Sequence, residues 1–289
     1  MFDWLSEPFT TAFTQNALKE LAMVSVLSGV VGVYVVLRGI AFIVDGLSHA
    51  ILPGIAVALL VGGNTFVGAF VAALVVTALV SFTSRHEQVS EDSATGIFFT
   101  GAFALGVILT TLAVSNKSSR GTSVDILFGQ LFGVTEQDIT NTLLVGGLVT
   151  LLFVTLRKEL LLSSFDPSMS RAMGYSGWWL DLVLYLGVAL TVVVALPAVG
   201  NILVLAFLIT PAATARLLTD RIYRLIILSA VFAFLASIIG IYLSYYMRLA
   251  GGASIVTVSS LLFLLSLAFS PRYGWLSRFR RKESPANVG

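Results

Sequence analysis

One apolar stretch of the chain, residues 40–61, contains two ionisable side chains, Asp45 and His49. Because they are four residues apart, a helix would place both on one face, about one turn from each other. Ionisable groups inside a membrane-length apolar stretch are costly and usually mark an ion or substrate pathway. Carboxylate oxygen and imidazole nitrogen together suit divalent manganese, iron or zinc. The alternative is a structural Asp–His hydrogen bond that ties two helices together, and the spacing leaves it open.

The rest of the chain, which must position these residues, is strongly apolar. Of its 289 residues 57% are hydrophobic and 11% are charged, and the mean hydropathy is +0.96. Soluble domains carry roughly 25% charge and have under half of their residues apolar. This excludes water-soluble enzymes, nucleic-acid binders and disordered proteins. The absence of cysteine also excludes disulfides, thiolate metal sites and thiol nucleophiles. The sequence predicts an all-α integral membrane protein with one domain over residues 1–289.

Nine apolar runs approach the length of about 20 residues that a helix needs to cross a bilayer. They cover residues 17–37, 40–61, 65–82, 94–113, 141–156, 180–196, 202–217, 225–246 and 254–269. The fifth and seventh runs are short, so a bundle of eight transmembrane helices is the alternative. Basic residues, which mark cytoplasmic segments, concentrate at positions 38, 85, 157–171 and 216–224 and in the tail 271–289. This pattern predicts an external N-terminus, a cytoplasmic loop at 157–179 and a basic cytoplasmic tail.

Prolines interrupt two of these runs. Pro53 lacks the N–H that would bond the carbonyl oxygen four residues earlier. Pro197, Gly200 and Pro211 surround one short apolar segment, which favours a broken helix that lines a cavity or is buried in protein. An ordinary kinked span is the alternative.

The 157–179 loop contains the signals of a short helix. Asp166 is a candidate N-cap, Pro167 suits the first helical position, and Gly174 is a C-terminal stop three residues after Arg171. We expect this helix to lie beneath the membrane. It is either a plain surface helix or a docking helix for a cytoplasmic partner.

The sequence lacks the motifs of P-loop ATPases, zinc metalloproteases and serine hydrolases. It contains no G-x-x-x-x-G-K-[ST] phosphate loop and no Gly-Lys pair, so the chain is not itself a P-loop ATPase. H-E-x-x-H and G-x-S-x-G are also absent, and His86, the other histidine, falls at the cytoplasmic end of a span. We expect a transport protein and not an enzyme.

Several stretches resemble the permeases of metal-ion ABC transporters, which import manganese, zinc or iron(II). The most specific are Asp-Gly-Leu-Ser-His-Ala-Ile-Leu-Pro-Gly at 45–54 and Leu-Ile-Thr-Pro-Ala-Ala-Thr-Ala-Arg at 208–216. Further matches cover residues 92–99, 127–129, 165–174, 198–200 and 243–246, so the resemblance extends over nearly the whole chain. Family members often have Gly where this chain has Val44 and Ala or Ser where it has Gly46. Neither difference removes a ligand.

The resemblance implies an importer permease that works by alternating access in the cytoplasmic membrane of a bacterium. Its partners would be a second copy or a close paralogue, two cytoplasmic ATP-binding subunits and an external metal-binding protein, and no nucleic acid. A divalent metal, most simply Mn²⁺ with Zn²⁺ and Fe²⁺ as alternatives, would be the cargo. No cofactor would be permanently bound, and ATP would act through the partner chain.

The resemblance also implies roles for individual residues. Asp45 and His49 match the metal residues of the pore, and the helix at 166–174 matches the loop that contacts the ATPase. The pore and backbone-break positions would be Ser48, Pro53, Pro197, Gly200 and Pro211, and the ATPase-coupling positions Asp166, Pro167, Arg171 and Gly174.

Two other functions stay open. A proton-coupled secondary transporter could use Asp45 and His49 as a proton relay and would need no ATPase. An ABC permease for a chelate such as a siderophore or cobalamin would need a wider pore and no intramembrane Asp–His pair.

Overall fold

The computed structural model describes residues 12–85, 88–116 and 133–270, and this part of the chain is helical throughout, with short connections and no strand. In chain order the helices are α1 (Ala12–Arg38), α2 (Ala41–Ala50), α3 (Leu52–Val61), α4 (Thr65–Thr83), α5 (Glu91–Asn116), α6 (Glu136–Asn141), α7 (Gly147–Thr155), α8 (Arg157–Phe165), α9 (Pro167–Ala172), α10 (Gly177–Val199), α11 (Asn201–Leu218), α12 (Ile222–Met247) and α13 (Gly251–Phe269). A π-helical turn, Thr142–Gly146, joins α6 to α7. His86, the 127–129 match and the tail 271–289 lie outside the described residues.

The membrane fold class predicted from composition is confirmed. Within the described residues, eight helices are long and apolar enough to cross a membrane, and Leu203–Leu218 in α11 is a shorter apolar helix. All nine predicted apolar runs are therefore helical, and α11 is the shortest of them. The sequence analysis did not predict α8, which occupies the start of the 157–179 loop.

Helix α1 lies at the centre of the bundle. It packs against α10, α11 and α12, while α10 also contacts α2 and α4. The second group consists of α2 to α5, in which α3 packs on α4 and both α2 and α3 pack on α5. Only 11% of the apolar part of α5 is buried within the chain. This helix therefore presents a wide apolar face outward.

Two glycines allow α3 and α4 to cross with their backbones in contact. A Cβ added at Gly54 would lie 2.1 Å from the carbonyl oxygen of Gly68, and one added at Gly68 would lie 2.2 Å from that of Gly54. Close packing of small residues is a main source of helix association in membranes, where the hydrophobic effect between helices is absent. This contact fixes the relative positions of α3 and α4, which form the helical hairpin after α2.

Candidate metal site

Asp45 and His49 lie on a helix of only ten residues, α2. The chain turns into α2 at Gly39, which has a φ of 71°, a conformation that glycine adopts readily. The helix ends at Ile51, and Pro53 falls in the first turn of α3, where its missing N–H costs nothing. Helix α2 therefore starts after the turn at Gly39 and continues through Ile51, which keeps helical angles, into α3, so that Ala41–Val61 forms one apolar span.

The two ionisable side chains lie on the same face of α2. The Nε2 atom of His49 is 3.8 Å from Oδ1 of Asp45, which is beyond hydrogen-bond distance. In the single chain the His49 side chain is 24% exposed and that of Asp45 is 41% exposed. Both residues lie on α2, and a structural role of the pair stays the alternative to metal binding.

Helix α5 supports the His49 ring. The imidazole centroid lies 5.6 Å from that of Phe99 and 5.5 Å from that of Phe103. One turn earlier, a Cβ added at Gly46 would lie 2.7 Å from the Thr95 methyl group, so the two helices are in tight contact. The sequence blocks 45–54 and 92–99, which are separate in the chain, therefore meet in space, and the aromatic rings limit the movement of the imidazole.

The other predicted pore residues are distributed over α2, α3, α10, α11 and the turn between the last two helices. Ser48 is buried, and its hydroxyl donates to the backbone carbonyl oxygen of Asp45 at 2.8 Å. Pro197 lies inside α10 and Pro211 inside α11, while Gly200, with a φ of 76°, separates these two helices. The helix break at Gly200 lies between α10 and α11, and α2 packs against both of these helices.

The predicted helix of the 157–179 loop is present as α9. The Oδ1 atom of Asp166 accepts the N–H of Met169 at 2.9 Å, and Pro167 opens the helix. Gly174 has a φ of 87° and its N–H donates to the carbonyl oxygen of Arg171 at 3.0 Å, as at a helix C-terminus that ends in glycine. Three apolar side chains near this helix are exposed, those of Phe165, Met169 and Met173.

One buried carboxyl group was missed by the sequence analysis. Glu20, inside α1, is completely buried, and the Thr142 hydroxyl donates to its Oε1 atom at 2.5 Å. Its Oε2 atom has no hydrogen-bond partner among the described residues. Thr142 opens the π-helical turn, and such turns are frequent at functional sites. The sequence did contain a signal for this site, because Glu20 is an acidic residue within the first apolar run, 17–37.

A single chain offers an incomplete cation site. Among the described residues, no group of three or more His, Cys, Asp or Glu side chains could hold a metal ion. Asp45 and His49 supply one carboxylate and one imidazole on a partly exposed face. Divalent manganese, iron and zinc take more ligands than these two side chains supply.

Comparison with known proteins identifies the family. A family model described as the ABC 3 transport family matches residues 10–270. The chain is 42% identical over 273 residues to a manganese transport system membrane protein, MntC, of Halalkalibacterium halodurans, covering 93% of this chain and 91% of that protein. It is 36% identical to a probable iron transport system membrane protein of Haemophilus influenzae, covering 93% and 98% of the two chains.

A solved structure agrees with the sequence relatives. The chain superposes on PsaBC from Streptococcus pneumoniae in complex with Fab with a TM-score of 0.84 and 33% identity. The match covers 96% of this chain and 99% of the other. From the helical membrane fold, the matched family model and these relatives, the chain belongs to the ABC 3 transport family and is a multi-pass membrane permease.

Proposed function

We propose that this chain is the pore subunit of an ATP-driven importer that carries a divalent transition-metal ion, Mn²⁺ in preference to Fe²⁺ or Zn²⁺, across a bacterial cytoplasmic membrane. The observation that carries the proposal is the outward-facing pair of Asp45 and His49 on the short helix α2. The family membership and the manganese relative support the substrate class. A proton relay without an ATPase agrees less well with membership of an ABC family.

A second copy of the chain, or a close paralogue, would complete the metal site. A two-fold axis beside the exposed face of α2 would bring two carboxylates and two imidazoles around one pathway. Such a set holds a divalent ion without sulfur ligands. Because the ion must also leave, binding has to be weak enough for release. His49 must be neutral to bind the metal, so acidification should weaken occupancy.

The helix α9 is the proposed contact with the ATP-binding subunit. Exposed apolar side chains in a cytoplasmic segment are typical of interaction sites, and Phe165, Met169 and Met173 form such a set at intervals of four residues. Arg171 adds a positive charge near the end of this helix. An external metal-binding protein would deliver the ion on the opposite side of the membrane.

The test is metal transport in liposomes that contain the chain and its ATP-binding subunit. Wild type should accumulate Mn²⁺ only with ATP, and its detergent-purified complex should hold about one metal ion per two-fold site, as expected for the symmetry. In the double variant Asp45→Ala/His49→Ala both signals should disappear. The matched control is His86→Gln, which removes the other histidine and should leave both signals intact.

The outcomes separate the candidate functions. Unchanged metal occupancy in the double variant would show that the ion binds elsewhere. Uptake that survives ATP depletion but stops when the proton gradient is removed would establish the secondary transporter instead. Competition between Mn²⁺, Fe²⁺ and Zn²⁺ in the same liposomes ranks the substrates, and a clear preference for Zn²⁺ or Fe²⁺ would overturn the manganese assignment.

A further inference from the structure

We infer that Arg38 is the positioning residue that transmits movement of α8 and α9 to the metal-binding helix α2. The inference rests on the proposed function, since α9 is taken as the contact with the ATP-binding subunit. Sequence analysis assigned Arg38 only to the positive charges of the cytoplasmic side. Its side chain, however, is just 12% exposed and makes contacts with two other segments of the chain.

Three side chains hold the Arg38 guanidinium. Its Nη1 atom forms a salt bridge with Asp181, near the start of α10. Its Nη2 atom donates to the Ser163 hydroxyl at 2.5 Å, and its Nε atom donates to the Ser164 hydroxyl at 3.1 Å. Since both serines belong to the last turn of α8, one planar group joins the end of α1 to α8 and α10.

On the cytoplasmic side, this contact lies close to α9. Ser164 is two residues before Asp166, the N-cap of α9, and the Asp166 N–H donates to the Leu162 carbonyl oxygen at 2.8 Å. The connection between the two helices is therefore short and hydrogen-bonded. Rotation or translation of α9 must displace the last turn of α8, including both serine hydroxyls.

On the membrane side, Arg38 leads directly into α2. Only Gly39 and Ile40 separate it from the first residue of α2, and the Ile40 N–H donates to the Val35 carbonyl oxygen at 3.2 Å. Because this turn is short and hydrogen-bonded, a displacement of Arg38 also displaces the start of α2, which carries Asp45. One residue, Ile51, separates α2 from α3, and its φ of −79° and ψ of −13° are helical, so a shift of α2 also acts on the start of α3.

Arginine is specifically suited to this task. Its planar fork can bond three partners in fixed directions, whereas the ammonium group of lysine is a point charge on a flexible stem. Lysine at this position would keep the attraction to Asp181 but lose the simultaneous contact with both serines. Arg38 and Arg85 both line one cavity of about 540 Å³, and Arg85, which stacks over the Trp178 ring at 4.2 Å, serves as a control.

The experiment measures coupling in liposomes that contain the chain and its ATP-binding subunit. For wild type, Arg38→Gln, Arg38→Lys and Arg85→Gln, metal uptake and ATP hydrolysis are recorded together. In Arg38→Gln, metal transported per ATP should fall about fivefold or more, the lower end of usual coupling effects, while hydrolysis continues. Arg38→Lys should lie between this variant and wild type, and Arg85→Gln should match wild type.

A distance measurement adds a readout that does not depend on the cargo. The chain has no cysteine, so spin labels can be attached at Phe42→Cys in α2 and Ser168→Cys in α9, both at positions exposed in the single chain. In the complex with the ATP-binding subunit, ATP should change this distance in wild type and not in Arg38→Gln.

The outcomes distinguish the inference from the proposed function. Wild-type coupling in Arg38→Gln, or an unchanged distance response, overturns the role of Arg38. A parallel loss of uptake and hydrolysis with a lower unfolding temperature also overturns it, because Arg38 would then be structural. If wild type moves no metal, the proposed function fails, and the distance response alone decides the inference.

Discussion

At the scale of single residues, the ionisable groups of this bundle fall into two kinds. Arg38 and Asp181 are bonded to each other, and Glu20 is hydrogen-bonded to Thr142 inside the protein. Asp45 and His49 differ, because they lie 3.8 Å apart on one helix and keep part of their surface exposed. An ion can reach a carboxylate and an imidazole that are partly exposed on one face of a helix.

Glu20 provides a prediction at this scale. An ionised carboxylate buried in an apolar bundle is costly, so the neutral amide in Glu20→Gln should preserve the thermal unfolding temperature and the bond to Thr142. Glu20→Ala should destabilise the protein by about 1–3 kcal/mol, because the Thr142 hydroxyl loses its shorter hydrogen bond and keeps only the contact of 3.4 Å with the Val194 carbonyl oxygen. Thermal unfolding of the purified protein in detergent measures both effects.

The control for Glu20 is Thr142→Val, which keeps the side-chain shape and removes the hydroxyl. In the double variant Glu20→Ala/Thr142→Val the second change should cost less than it does alone, as expected for two directly interacting groups. Equal destabilisation by Glu20→Gln and Glu20→Ala would instead mean that the negative charge itself is required.

At the scale of the elements, α2 is held at one side by its fit to α5. The added Cβ at Gly46 that would lie 2.7 Å from the Thr95 methyl group explains why this chain has glycine here. The position of His49 relative to Phe99 depends on this spacing.

The tight contact between Gly46 and Thr95 predicts how one added methyl group changes stability and metal binding. Gly46→Ala should destabilise the protein by about 1–3 kcal/mol through overpacking and should lower metal occupancy, because α2 moves away from α5. Adding Thr95→Ser removes the opposing methyl group and should restore both properties. Thermal unfolding and bound-metal analysis measure the two effects.

The matched control is Gly101→Ala on α5, where an added Cβ meets nothing within 4 Å. This change should leave stability unchanged or slightly increased, since alanine favours the helix. If Gly46→Ala behaves in the same way as Gly101→Ala, the contact with Thr95 does not position α2.

At the scale of the whole molecule, the face of α2 that bears Asp45 also exposes Ala41 and Phe42. Helix α5, directly beside it, has a largely exposed apolar face. This combination of apolar surface around two polar ligands suits an interface between two copies better than contact with lipid alone, since ionisable groups that face lipid are rare.

The proposed interface predicts a position-specific cross-link. In the cysteine-free chain, Phe42→Cys should form a covalent dimer with a short thiol-reactive cross-linker, because two copies of α2 would face each other across the axis. Leu143→Cys, which is more exposed (62% against 45% for Phe42) but lies on the span that contains the π-helical turn, should not. Gel electrophoresis after cross-linking in membranes gives the result, and equal cross-linking of both variants would contradict an interface at α2.

The sequence by itself determined the membrane class, the apolar helices, the short loop helix and the family. Each of these depends on local signals: apolar runs of membrane length, the Asp166 and Gly174 caps, and the block at 45–54. The spacing of Asp45 and His49 also placed them on one helical face, because helical periodicity is a local property.

Only the tertiary structure decided which distant residues meet. The contacts of Gly46 with Thr95, of Arg38 with Ser163 and of Glu20 with Thr142 join residues separated by tens to more than a hundred positions. No local pattern specifies such pairs, since they depend on how the helices pack. In an apolar bundle the hydropathy signal is nearly uniform, so the buried partners become visible only when the helices are assembled.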